Sequence, residues 1–402
     1  MSPHDVDRHV DSTAAYVHIP FCSAICPYCD FAVVAGADHL AGRYVDAVVA
    51  EIERGETWLP LDSVYVGGGT PSHIDPRLLG RILETLSRHH GMAADAEVSL
   101  EANPEDFGLD HARRLVSHGF NRVSFGAQSF DDAVLARLGR RHRGPDIVRS
   151  VENARTVGIR SVSLDLIFGT PVESDESWER SLGSAIALDP DHVSCYALTV
   201  EPGTPLNREV LSGAAAPDPD VQADRYELAD EMLGGAGLQR YEVSNWSRPD
   251  HQCRYNLTVW AQGEYEAYGN GAHRFRHGIR SHNIRRLEAY IDRVEKGESP
   301  IAGEEPIHGW ERELDRLFVG LRRSDGVASG PGVDALLETP GGEILMRERV
   351  IELRFGRLVV SRPLLTDEVH RQVLSLDPPI GWVEAPNPDN LMADRDAGTT
   401  SL

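Results

Sequence analysis

Tyr16-Val17-His18-Ile19-Pro20-Phe21-Cys22-Ser23-Ala24-Ile25-Cys26-Pro27-Tyr28-Cys29-Asp30-Phe31 packs three of the chain's five cysteines into eight residues, directly behind a short β-rich run. A disulfide framework asks for even, dispersed cysteines, so the cluster points to metal. Three thiolates at the spacing C-x3-C-x2-C can wrap one face of an iron–sulfur cubane, each reaching a different iron. The fourth iron then stays open to a small molecule. A structural zinc site wants four ligands, yet the next cysteine is Cys195 and no histidine stands just downstream of Cys29. The bland alternative is three buried thiols, or a redox pair plus a spare. It weighs less, because the cysteines follow a first strand, and the carboxyl ends of strands are where a βα barrel places its chemistry.

Outward from this stretch the βα rhythm repeats. The patterning predicts strands over 15–19, 63–66, 97–102, 122–126, 161–168 and 192–198, and helices over 41–54, 77–88, 110–117, 145–156 and 176–187. Six βα units in about 200 residues argue for a parallel sheet. Right-handed crossovers curl such a sheet into a barrel or part of one; an open doubly wound sheet is the competing topology, and periodicity does not separate the two. Beyond 198 the rhythm breaks into loops (201–205, 213–219), a helix over 221–233, a strand over 240–243 and a Tyr/Trp/Gly-rich segment, 246–273. From about 311, helices over 312–321, 344–351 and 366–374 around a hairpin at 353–360 suggest a winged-helix-like unit. The expected division is an N-terminal segment 1–14, a barrel core 15–200, an extension 201–300 with a heme or substrate region, a C-terminal helical domain 301–385 and a disordered tail 386–402.

Composition narrows the class. The 402 residues carry 40 Lys+Arg against 63 Asp+Glu, a net charge of −23, with 41% hydrophobic and 26% charged residues. That is a globular composition, and its acidity makes nucleic acid an unlikely partner. No apolar run approaches the ~18–20 residues of a membrane span, and the N-terminus lacks the order of a signal peptide. The expected setting is the cytoplasm.

Several polar residues sit where strands end. Gly67-Gly68-Gly69-Thr70 follows the second strand and lets backbone approach a ligand closely. Glu101 lies in the third strand, Gln128 follows the fourth, Arg140 lies on the helix expected next, and Asp165 is in the fifth. An acid buried unpaired costs several kcal/mol, so Glu101 and Asp165 need partners. Arg122 is the bland choice, and a bound ligand the sharp one; polar residues on three successive strands favour the ligand.

The cysteine spacing, with an aromatic just before its last member, resembles the radical S-adenosylmethionine (SAM) superfamily. Residues 16–327 resemble its coproporphyrinogen III oxidase-like branch. The resemblance implies a partial (β/α)6 radical SAM barrel, α/β in class, with the smaller, mostly helical C-terminal domain. It implies a [4Fe-4S] cluster on Cys22, Cys26 and Cys29 whose unique iron chelates SAM, and SAM contacts from Tyr16, Tyr28, Gly68, Gly69, Thr70, Glu101, Gln128, Arg140 and Asp165. In that superfamily the reduced cluster cleaves SAM to a 5′-deoxyadenosyl radical.

Within the branch, Asp30-Phe31 after the third cysteine, and about fifteen residues before Tyr16, look like the heme chaperones rather than the oxygen-independent oxidase, which acts on a porphyrinogen. Heme as cargo, and an acceptor hemoprotein, are then expected; a porphyrinogen-decarboxylating radical enzyme is the alternative. The chaperones' heme signature, His-Asn-x-x-Tyr-Trp, is altered here: Tyr255 and Val259 replace its histidine and tyrosine in Cys253-Arg254-Tyr255-Asn256-Leu257-Thr258-Val259-Trp260. Tyr255 as a phenolate, His251, or Cys253 is a candidate ligand, and a packed aromatic is an equal reading of Tyr255. His273 lines a substrate pocket or caps a turn.

Overall fold

Six strands form the centre of the computed structural model, which describes residues 11–379 and 382. They are β1 (Ala14–Ile19), β2 (Leu61–Gly68), β3 (Met92–Ala102), β4 (Arg122–Gln128), β5 (Ser161–Phe168) and β6 (His192–Ala197). They pair in parallel and in chain order. That order decides the topology left open by the sequence. A doubly wound sheet reverses its order at a switch point; here there is none, so right-handed crossovers stack every helix on one face and the sheet curls.

Curling gives each strand an apolar outer face and a polar inner one. Val17 and Ile19, Val64 and Val66, Val98 and Leu100, Val123 and Phe125, and Val162, Leu164 and Leu166 are buried against the helices. The alternate residues (Tyr16, His18, Tyr65, Glu101, Ser124, Asp165, Tyr196) face the lumen, where a bland barrel would carry Val, Ile and Leu. The outer core fixes the fold; the inner face is left for chemistry.

Among the described residues the sheet is twelve strands wide and does not close. Beside β1, Tyr265–Tyr268 pairs in parallel and leads into an antiparallel run of His273–Arg276, Ile279–Asn283 and Ile301–Pro306. Beside β6 lie Asn245–Ser247 and then Gln239–Arg240. The strand expected over 240–243 is thus shorter and earlier, because Glu242 turns the chain by accepting the Ser244 N–H at 3.1 Å. Helix Arg254–Trp260 packs on β1 and β2 and plugs the amino-terminal end of the barrel.

The C-terminal region runs helix Gly309–Gly320, strand Val327–Ala328, helices Pro331–Leu337 and Pro340–Arg347, hairpin Ile351–Arg354 with Arg357–Val360, and helix Thr366–Leu374. This is a winged-helix order around its own core of Trp310, Leu317, Leu336, Leu358 and Val369. The helix expected over 344–351 is displaced. Thr339 caps it by accepting the Gly342 N–H, with Pro340 in its first turn, and Arg349 at φ +54° lies beyond its end. The expected tail at 386–402 lies outside the described residues. Among the described residues, no helix is long and apolar enough to cross a membrane.

Candidate cluster and cofactor site

The cysteine loop leaves β1 and is pinned at its base. Phe21 and Cys22 pair in parallel with Val34 and Ala35, and Cys29 N donates to Cys26 O at 3.1 Å. Pro27 O accepts from Leu206 N at 2.8 Å, so the far side of the loop is tied to helix Pro205–Leu211. Among the described residues no three His, Cys, Asp or Glu side chains could hold one metal ion. Thr70 Oγ1 donates to Cys22 Sγ at 3.6 Å and Arg140 Nη1 to Cys26 Sγ at 3.4 Å. Burial pushes the Cys22 thiol up to about 11, so iron has to displace its proton on binding.

All three cysteines line one cavity of about 390 Å³ together with Tyr28, Gly68, Gly69, Thr70, Glu101, Gln128, Arg140 and Asp165. Of the residues expected to contact SAM, Tyr16 alone is outside it: Tyr16 lines an adjoining cleft that shares Gly68 and Glu101 with the first.

The glycine turn is already committed on its donor side. Gly68 N donates to Glu101 Oε2 (2.8 Å), Gly69 N to Ile19 O (2.8 Å) and Thr70 N to Phe21 O (2.9 Å). What the turn can offer a ligand is carbonyl oxygen, which suits an ammonium and not a carboxylate. A Cβ on Gly67 would meet the Glu101 carboxyl at 2.8 Å, and one on Gly69 would meet the backbone of Ile19, Pro20 and Phe21. Gly69 is thus required by packing as well.

Neither of these half-buried acids has found the arginine. Arg122 sits at the amino end of β4, donating to Ser161 Oγ and His251 O, with Glu97 at 3.9 Å. Glu101 accepts from Tyr65 OH at 2.9 Å, and Asp165 from Ser124 Oγ at 2.9 and 3.0 Å. Burial pushes Glu101 up to about 7 and raises Asp165, with the Gly68 N–H, Tyr65, Ser194 and Ser124 only partly opposing it. Tyr65 and Ser124, which hold these acids, escaped the sequence reading although both fall on the inward phase of their strands.

Arg140 mirrors the acids. It lies in the loop between helices Asp132–Arg137 and Gly144–Thr156, not on the helix expected for it, because the first helix ends early and the chain turns at Gly139 (φ +70°). Its Nη2 donates to Gly126 O at 2.9 Å, and among the described residues no carboxylate is within ion-pair distance. A Cβ on Gly126 would strike that nitrogen at 2.4 Å. The β4–β5 register shifts just here, and Gln128 adopts φ +63° with its buried Oε1 unpartnered. Bulges beside sites commonly re-aim side chains in this way.

Half-buried acids and an arginine thus line one cavity without forming an ion pair among the described residues, so a ligand carrying both signs of charge would find partners there. The donor set fits SAM bound beside a thiolate-held cluster: an arginine for a carboxylate, carbonyls for an ammonium, two acids for a diol.

The free cavity makes a testable cost. Glu101 ionises near 4.5 when unfolded and near 7 when folded, so wild type loses stability as pH rises from about 4.5 to 7. The loss is about 3 kcal/mol. Glu101→Gln of the ligand-free protein should escape it: urea unfolding should show the variant's advantage growing across that window and level above it. An advantage independent of pH would place the ionised form elsewhere.

The heme candidates are far from equivalent. His251 hydrogen-bonds Ser161 Oγ at 3.2 Å, at the amino ends of the strands, opposite the cysteine loop. Cys253 is buried and caps the plugging helix. Tyr255 points up from that helix and packs against Tyr16, Tyr65 and Tyr265, ring centroids 5.4–5.8 Å apart. Burial holds its hydroxyl well above the usual phenol range. These are the contacts of a packed aromatic, and Tyr255 also lines the adjoining cleft beside Tyr16.

A family model for the radical SAM superfamily matches residues 16–185. The heme chaperone HemW of Mycobacterium tuberculosis is 38% identical over 369 residues, 89% of this chain and 94% of that protein. HemW of Bacillus subtilis is 33% identical, over 78% of this chain and 84% of the relative. Among solved structures, the coproporphyrinogen III oxidase HemN of Escherichia coli is similar in fold, with a TM-score of 0.79 at 21% identity, covering 93% of this chain and 94% of that one.

Proposed function

The chain belongs to the radical SAM superfamily and, within it, to the HemW family, and on that premise we propose that it is a heme chaperone that holds a [4Fe-4S] cluster on Cys22, Cys26 and Cys29, binds SAM beside it, and delivers heme to a hemoprotein. The observation that carries most weight is the shared cavity, in which three thiols meet Arg140, Glu101 and Asp165, none of them in an ion pair among the described residues.

In this reading Arg140 takes the SAM carboxylate, the carbonyls of the glycine turn take its ammonium, and Glu101 and Asp165 accept from the ribose hydroxyls. Tyr65 and Ser124 keep the two carboxyls oriented, and Tyr28 walls the cavity. Tyr16 supports the site from the adjoining cleft. When bound, the cluster supplies the electron for reductive SAM cleavage. In the same reading 15–200 is the core, 201–300 the heme-handling extension and 301–385 a C-terminal unit to which this chemistry assigns no role. Five free thiols without a disulfide suit a reducing cytoplasm.

The alternative, oxidative decarboxylation of a porphyrinogen, predicts turnover rather than delivery. Heme placed on the anaerobic, cluster-loaded chain should move to an added apo-hemoprotein, and coproporphyrinogen III supplied with SAM and reductant should persist.

A further inference from the structure

The sheet beyond β1 carries an unassigned imidazole pair. In the antiparallel run, Tyr265 stands opposite Phe275, Phe275 opposite Arg280, and His273 opposite His282. Alternation puts these five on the face that continues the lumen, while Glu266, Tyr268, Arg274 and Ser281 line a separate pocket on the other face. The two imidazoles stack with centroids 5.3 Å apart and planes 23° from parallel. His282 lies over Gly303, where a Cβ would meet its ring at 2.5 Å. Both histidines are exposed, and neither makes a side-chain hydrogen bond among the described residues.

His273 opens onto the cleft of about 330 Å³ lined by Tyr16, Phe31, Tyr255, Tyr265 and Arg285. Phe31 is 65% exposed, and Ile25 on the same loop 49%. Arg285 donates to Asp30 O at 2.5 Å and has no carboxylate at ion-pair distance among the described residues. One wall of an open cleft thus offers a free imidazole, an exposed phenyl ring and a guanidinium without a counter-charge. An iron porphyrin presents the matching set: a metal seeking nitrogen, an apolar macrocycle and carboxylate side arms.

We propose that His273 is the axial ligand of heme docked edge-on in this cleft, with Phe31 against the macrocycle and Arg285 facing a propionate. The proposal rests on the heme-chaperone reading. His282 is a positioning residue that holds the His273 ring by stacking. Partial desolvation of the ring and the neighbouring His282, Arg280 and Arg285 lower the His273 pKa, which favours the unprotonated nitrogen that a metal needs.

Ferric heme titrated anaerobically into the cluster-loaded chain, followed by its Soret band, tests this. Wild type should bind one heme with the spectrum of imidazole ligation. His273→Ala should bind about tenfold or more weakly and lose that spectrum, with its cluster absorbance and melting temperature retained. Added imidazole should restore the spectrum to His273→Gly, and His251→Ala, at the opposite end of the strands, should match wild type. Wild-type binding with an unchanged affinity and spectrum in His273→Ala would overturn the ligand assignment and leave the chaperone reading standing. Absence of saturable binding by wild type would overturn both.

Discussion

Cys22→Ala, Cys26→Ala and Cys29→Ala will each purify without a four-iron cluster, even after anaerobic reconstitution, whereas Cys195→Ala and Cys253→Ala will load as wild type does. The loop supplies three thiols and its neighbourhood supplies no replacement. Cys195 faces the outer core from β6, and Cys253 is buried at the plugged amino end of the barrel. Two remaining thiolates leave two irons of a cubane without protein ligands, so the loss should be nearly complete rather than graded. Iron and sulfide content with the broad visible absorbance measures it. A full cluster in all three loop variants, or iron lost in either buried-cysteine variant, contradicts the assignment.

Arg140→Met is expected to weaken SAM binding to the cluster-loaded chain by about 100-fold, the order set by removing one partner of a desolvated charge pair. The sign of the accompanying stability change separates ligand binding from architecture. Arg140 donates to Cys26 Sγ and Gly126 O but pairs with no carboxylate among the described residues, so its replacement strands no buried counter-ion. Ligand-free Arg140→Met should therefore unfold no more easily than wild type, or less so. Calorimetric SAM titration and urea unfolding read the two effects. A marked loss of stability with unchanged SAM affinity would make Arg140 a structural residue.

How much of this was legible before the fold was known differs by element. The six strands were, because each has an apolar outer face two residues in period, and the cysteine loop was, because its spacing is local. The barrel was not separable from an open sheet, since strand order is a property of pairing and not of any one segment. Local chemistry also hid the place of Arg140: the pattern continued helically past Arg137, and Gly139 ended it. For Glu101 and Asp165 the sequence required partners without naming them, and Tyr65 and Ser124 stand on the adjacent strands, 36 and 41 residues away in the chain. The ring of antiparallel strands carrying His273 and His282 was missed, because residues 246–273 read as a patch of aromatics whose sheet pairing depends on the exposed edge of β1.

Transfer of heme from the anaerobic, cluster-loaded chain to an apo-hemoprotein, in the presence of SAM, tests the central claim most directly. The expected result is gain of the acceptor's heme spectrum in proportion to heme lost from the chain, faster than from free heme at the same concentration, with coproporphyrinogen III left intact in a parallel reaction. Acceptor loading no faster than from free heme, together with coproporphyrinogen III consumed as 5′-deoxyadenosine accumulates, would contradict it and make the protein a radical enzyme.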